Sequence, residues 1–407
     1  MKSKVSRLTF LLLSVVVGAQ TGGERTVVFE PVLGLTFIHA SVNGSRPLQM
    51  VLDTGASYTV LKPQIAAELG LKASGENLQA GGVAQGADQT LHLVKGVSLE
   101  FASEKLVDQT ISTLPVDYID REAGHPTDGI LGGNIFASFV VHEDYAARTV
   151  TLIRPEEFTA PDGFSPVPLQ VAGTVSLLKL QLQNLGGEKF DGTFLLDSGM
   201  ASANLFFMKP FVDAHPGLKS GKLLALPPVT AVGGEVRLTE GRLGSLTVGP
   251  FVLPKPVAVY QDATVAGHES TLLAGIVGTG VLRRFDVIFD YPHSKLWLKP
   301  NAEFSKPFFG LASGLQLEVT PPEFARVKVR AVVAGSPGDL AGVQAGDIIV
   351  AVSTQRLAAA TKTGEVPPPM TLSQVRDRLE TPGQNIYLRL ERNGKPLSIH
   401  FTTKQLV

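Results

Sequence analysis

The chain has 407 residues, 44% hydrophobic and 18% charged, with a formal net charge of -1. That length supports about two to four domains, and the charge balance excludes a basic field for nucleic acid, a polybasic membrane anchor and an acidic tail. The cysteine count is 0, which excludes disulfides, thiolate metal sites, cysteine nucleophiles and a lipid-modified cysteine, while 42 glycines and 27 prolines favour strands joined by frequent turns, with helices short and few.

In chain order, Lys2, Lys4 and Arg7 precede an apolar run from Leu8 to Val17 that ends in the small-residue signal Val17-Gly18-Ala19. This pattern predicts a secretory signal peptide over 1–19, hence export to the periplasm or the medium; a retained membrane anchor is the alternative. Next comes the segment Gln49-Met50-Val51-Leu52-Asp53-Thr54-Gly55-Ala56-Ser57, a short apolar strand that ends at an aspartate. Lys62-Pro63 opens a short helix that Gly70 ends. The Gly81-Gly82 pair marks a mobile hairpin, and Asp128-Gly129-Ile130-Leu131-Gly132 precedes a closing stretch from Phe139 to Leu152.

The same landmarks then recur in the same order. Gly192-Thr193-Phe194-Leu195-Leu196-Asp197-Ser198-Gly199-Met200 repeats the aspartate loop, and Lys209-Pro210 repeats the helix start. Gly233-Gly234 repeats the glycine pair, Ala274-Gly275-Ile276-Val277-Gly278 the apolar-Gly landmark, and Phe285 to Leu298 the closing stretch. Asp197 lies 144 residues after Asp53, and Asp290 lies 146 after Asp144. The first part of the mature chain is therefore a duplicated domain of about 140 residues per copy. Beyond Pro300 the pattern changes to a strand-rich unit. It has Gly314-Leu315-Gln316-Leu317 near its start, a helix capped by Thr371 and Gln374, and a hairpin turning at Asn393-Gly394.

Each copy supplies one carboxyl, and the chemistry needs two. Peptide hydrolysis without a side-chain nucleophile or metal requires a base to activate water and an acid to protonate the carbonyl oxygen or the leaving amine. Two carboxyls held close share one proton and can play both roles at once. Glycine after the hydroxyl residue lets backbone N–H groups approach the carboxylates, and Thr54 and Ser198 are suited to locking the loops across the lobe interface. No cofactor and no metal is called for. Three other patterns weigh less. Gly275 to Gly280 lacks the lysine of a phosphate loop, His142-Glu143-Asp144 alternates faces on a strand, and no nucleophile elbow accompanies any serine. Trp297, the only tryptophan, is expected in the core of the closing strand.

On these motifs, residues 27 to 300 resemble the pepsin and retropepsin class, most closely bacterial retropepsin-like proteases with two fused lobes. Residues from roughly 308 to 405 resemble a PDZ domain. The resemblance implies a mainly β, bilobal aspartic-protease fold of two related β-barrel-like lobes, 24–160 and 161–305, followed by a PDZ domain over 306–407. It implies catalysis by Asp53 and Asp197, supported by Thr54, Gly55, Ser57, Ser198 and Gly199. It also implies glycine-type flaps at Gly81-Gly82 and Gly233-Gly234, and a carboxylate-binding loop at Gly314, Leu315, Gln316 and Leu317. The partners implied are a peptide or protein substrate and a peptide C-terminal tail. The chain departs from pepsins in placing Ala56 and Met200 where a hydroxyl residue usually follows the motif glycine. This implies a less acidic optimum, and it leaves a catalytically inactive peptide-binding scaffold as the alternative.

Overall fold

Why the two copies fold alike is visible in their central strands. The computed structural model describes residues 25–79, 90–201, 204–231, 234–262, 272–356 and 370–407. The expected signal peptide, the Gly81-Gly82 pair and Gly233 lie outside the described residues. In the first copy, strand Leu48–Leu52 is apolar nearly throughout because both of its faces are covered. It runs antiparallel to Leu35–Val42 and parallel to Gly129–Leu131, with Leu52 opposite Leu131. Gly129–Leu131 pairs on its other side with Val60–Leu61.

The second copy repeats each step. Lys189–Leu196 runs antiparallel to Val175–Gln183 and parallel to Gly275–Val277, with Leu196 opposite Val277, and Gly275–Val277 pairs antiparallel with Leu205–Phe207. The glycines that open the parallel strands are required by close approach. A Cβ at Gly129 would lie 2.1 Å from the Val60 carbonyl oxygen, and one at Gly275 would lie 1.8 Å from that of Phe206. Both expected helices form, as Pro63–Glu68 and Lys209–Ala214, each with proline in its first turn. The helices are short, as expected, but recur through all three units.

The closing stretches weld the lobes. Val140–Asp144 pairs antiparallel with Phe285–Asp290, placing Val141 opposite Phe289 and Glu143 opposite Val287. Thr149–Ile153 and Lys295–Pro300 extend this sheet outward, and Thr26–Val28 and Ser165–Ala172 flank it. Phe136 lies edge-on to Phe289 and stacks on Tyr291 beneath the sheet, so one apolar core runs through both lobes. Trp297 is not in that core. It stands half-buried between buried Leu296 and Leu298 on the opposite face, donating Nε1–H to Asp290 Oδ2 at 3.1 Å. The expectation for Trp297 is corrected by strand alternation.

The third unit is a five-stranded antiparallel sheet in chain order, from Leu315–Thr320 to Lys395–Thr402. Asn393 and Gly394 both have positive φ, as a two-residue hairpin turn requires, and Thr371 and Gln374 form the expected capping box on helix Leu372–Leu379. The unit is pinned to the second lobe. The Arg284 guanidinium lies 3.5 Å from the Phe308 ring centroid and donates to the Glu303 and Pro307 carbonyls. Arg242 donates to the Phe308 carbonyl and to the main-chain oxygen of Val407. No helix among the described residues is long and apolar enough to cross a membrane.

Two of the carboxyls buried within this frame are pushed far up by that burial. Glu143 is fully inaccessible, hydrogen-bonded by the Thr36 hydroxyl, and burial pushes it from 4.5 up to about 7. Glu240, 5% exposed beneath Gly310, is likewise pushed up to about 7 by burial. A carboxyl with a raised folded-state pKa contributes stability that is full below its unfolded pKa and lost as pH rises through the folded value. Glu143→Gln is therefore expected to gain stability relative to the parent chain between about pH 4.5 and pH 7, by on the order of a few kcal/mol. Urea melts of both proteins across that range check this; a difference independent of pH would refute it.

Candidate active site

Both aspartates sit one residue beyond paired parallel strands, and the strand register fixes them. The Asp53 N–H donates to the Leu131 carbonyl at 3.0 Å, and the Asp197 N–H donates to that of Val277 at 3.0 Å. Each loop then turns back on its own carboxylate. The Gly55 N–H donates to Asp53 Oδ1 at 2.7 Å, and the Gly199 N–H donates to Asp197 Oδ1 at 2.8 Å.

The loops interlock through their hydroxyls. Thr54 Oγ1 donates to the Leu196 carbonyl at 2.8 Å and accepts from the Ser198 N–H at 2.9 Å. Ser198 Oγ donates to the Leu52 carbonyl at 3.1 Å and accepts from the Thr54 N–H at 3.0 Å. All four bonds cross between lobes, and both side chains are buried. The glycines complete the symmetry. A Cβ at Gly55 would lie 2.7 Å from Asp197 Cγ, and one at Gly199 would lie 2.4 Å from Asp53 Cγ. Only glycine lets each carboxyl rest against the opposite loop.

Each carboxyl lies against the opposite loop's glycine, which brings the two close enough for the Asp53 charge to act on Asp197. Burial raises Asp53 above the usual carboxyl range, against the pull of N–H groups from Gly55, Gly199 and Ala56. Burial and the neighbouring Asp53 charge hold Asp197 well above that range. The pair binds and releases protons as a unit. It can hold one proton and one charge at once, which is an acid and a base side by side.

Apolar clusters adjoin both loops. Ala56, Leu91, Tyr118 and Ala201 pack on a patch built around Val51, Ile119 and Ile130, while Met200 and Met208 pack on Phe206, Leu238 and Ile276. Met200 therefore fills an apolar space, and its lobe keeps tight geometry. The Met200 carbonyl accepts from the Thr279 N–H and hydroxyl, as the Ala56 carbonyl accepts from the Gly133 N–H.

Two tyrosines join the site that the motifs did not indicate. Tyr118, on helix Asp117–Ala123, has its phenol pKa raised by burial and by the charges of both aspartates. Tyr291 is buried behind the loops, its hydroxyl accepting from Ser176 Oγ at 2.9 Å, and it too is raised by burial and by both carboxylates. Tyr291 directly follows Asp290, as Tyr145 follows Asp144 in the first copy, and was open to discovery; Tyr118 has no counterpart in the repeat.

Other expected residues fall elsewhere. Ser57 is exposed, and only its carbonyl is engaged, by the Thr174 hydroxyl of the second lobe, so its side chain does not support the pair. Gly234 begins strand Gly234–Arg242, which pairs back on Leu224–Ala231 as a hairpin. Gly314, Leu315, Gln316 and Leu317 are all buried, and the Leu315 N–H donates to Ser313 Oγ at 3.2 Å.

Residues 38–135 match the model of a family described as aspartyl protease, and residues 328–392 match one described as PDZ domain. No curated protein matches the chain in sequence. Among solved structures, the aspartic proteinase from Irpex lacteus is similar with a TM-score of 0.40 at 12% identity, over 69% of this chain and 98% of that one.

Proposed function

We propose that this chain, which carries an aspartyl protease domain and a PDZ domain, is an exported aspartic endopeptidase that hydrolyses peptide bonds with water activated between Asp53 and Asp197. The lobes are assigned to 24–160 and 161–305, the PDZ domain to 306–407, and the leader to 1–19. The observation that carries the reading is the reciprocal seating of the two carboxyls, each against the other loop's glycine and hydrogen-bonded by the glycine N–H of its own loop.

One carboxyl is charged and takes a proton from the water as its oxygen attacks the scissile carbonyl. The other gives its proton to the carbonyl oxygen, leaving a non-covalent tetrahedral diol. Collapse returns a proton to the amine as the C–N bond breaks. The apolar clusters beside the loops suit substrate side chains, and they exclude water from the pair as the cleft fills. The Leu224–Ala231 and Gly234–Arg242 hairpin is a candidate flap. The PDZ domain serves substrate recognition or regulation.

The test is cleavage of a mixed peptide library by the mature chain between about pH 3 and 7. Internal cuts blocked by statine-type inhibitors and unaffected by chelators are expected. A chain that binds peptides yet cuts none at any pH would be a scaffold instead. Export is checked by N-terminal sequencing of the protein recovered outside the cytoplasm, with residue 20 expected first.

The residues after the motif glycines set the pH profile. Ala56 carries no hydroxyl, so from its own loop Asp53 receives backbone N–H groups. A hydroxyl donated to the charged carboxylate favours ionisation, so Ala56→Ser is expected to move the acid limb of kcat/KM down by up to about one pH unit. A limb that stays put or moves up would contradict the assignment.

A further inference from the structure

PDZ domains take peptides by adding a strand to an exposed sheet edge. In this chain the corresponding edge is strand Leu315–Thr320, paired on one side with Glu323–Val332. Its other side is already engaged. Arg376, on helix Leu372–Leu379, donates Nη2–H to the Leu317 carbonyl at 3.1 Å and so takes up a main-chain acceptor of the edge.

The element seated there belongs to the first protease lobe. Helix Asp117–Ala123 packs against Leu315–Thr320. Gly124 ends that helix at φ 70°, and it lies so near Leu372 that a Cβ would come within 2.7 Å of the leucine Cβ. Glu122, exposed at the helix surface, feels the positive charges of Arg330 and Arg376. Arg330 in turn donates to Gln316 Oε1 at 2.9 Å and to the Pro228 carbonyl of the candidate flap at 3.4 Å. The same short helix carries Tyr118, which packs with Ala56 and Ala201, beside the two aspartate loops, on one apolar cluster and lies within the field of both aspartates.

We infer that the groove of the PDZ domain holds the protease's own 117–124 segment as its resident ligand, and so positions Tyr118 beside the catalytic pair. The inference rests on the protease reading for its effect on turnover, but not for the seating itself. Arg376 and Leu372 are positioning residues, acting on the reaction through the helix. The domain then contributes to cleavage of every substrate, including short peptides that offer no C-terminus to grip.

The test uses the full chain and two variants, Arg376→Glu and Leu372→Ala, with Arg376→Lys as the conservative control. Hydrogen exchange is read at 117–124 and in strands Asn385–Arg392 and Lys395–Thr402, beside kinetics on a short peptide blocked at both ends. In both variants, exchange at 117–124 is expected to quicken by about tenfold or more while the two PDZ strands stay protected, and kcat/KM is expected to fall by a similar factor. The lysine control is expected to sit near the parent chain. Unchanged exchange at 117–124 in both variants overturns the inference. So does faster exchange with unaltered kcat/KM, which would show a held helix that does not serve the site. If the parent chain cuts nothing but exchange quickens as expected, the protease reading fails and the seating stands.

Discussion

Asp197→Asn is expected to lower kcat by about 10⁴-fold or more, and Asp53→Asn by a similar factor. Each substitution removes the site's ability to hold one charge and one proton on adjacent carboxyls. The double variant should be little worse than either single one, because the two residues act as a unit. Stability is expected to move the other way. Both carboxyls sit where burial disfavours their charge, and Asp197 also faces the Asp53 charge. Asparagine keeps the shape and an acceptor for the Gly55 or Gly199 N–H without placing a charge there. The variants should therefore melt at the same temperature as the parent chain or above it. Steady-state kinetics and thermal melts at one pH, run side by side, check both halves. Either variant retaining a tenth of parental kcat would refute the shared-proton mechanism.

What could be read from the sequence follows from what repeats. Asp53, Thr54 and Gly55 have counterparts in Asp197, Ser198 and Gly199, and a motif occurring twice at near-constant spacing reports a symmetric contact even without coordinates. That symmetry is the interlock seen between the lobes. Ser57 was drawn in by its nearness to the motif, but the direction in which a loop residue points depends on the turn, and this one points to solvent. Trp297 was legible in hindsight: between two leucines on a strand, it had to face away from whatever they packed against. Tyr118 was not legible. It belongs to one lobe only, and its place beside the pair depends on a helix whose seat, on strand Leu315–Thr320 and at Leu372, lies far along the chain. The PDZ-like loop posed the same difficulty. Its residues resemble a carboxylate-binding loop, but nothing local says that helix Asp117–Ala123 packs against the strand they begin.

The hydroxyl interlock is expected to be the most expensive element of the site to remove. Thr54→Val keeps the shape of the side chain but withdraws one acceptor and one donor, leaving the Ser198 N–H and the Leu196 carbonyl without these partners in a buried interface. Each orphaned group costs about 1–3 kcal/mol, so a loss of roughly 2–5 kcal/mol is expected from denaturant melts. Ser198→Ala should cost a similar amount by stranding the Thr54 N–H and the Leu52 carbonyl. The two losses should not add. Each hydroxyl accepts from the other residue's backbone, so loosening one loop already weakens the bonds of the second, and a coupling of about 1 kcal/mol or more is expected in the double-mutant cycle. Activity should fall further than stability alone dictates. Folded Thr54→Val still carries both aspartates, yet their relative placement is no longer fixed from each side, and a displacement near 1 Å at reacting groups costs about 10²-fold. Measured well below its melting temperature, the variant should therefore show a reduced kcat. Parental kcat in the folded variant would mean that the interlock holds the lobes together without aligning the carboxyls.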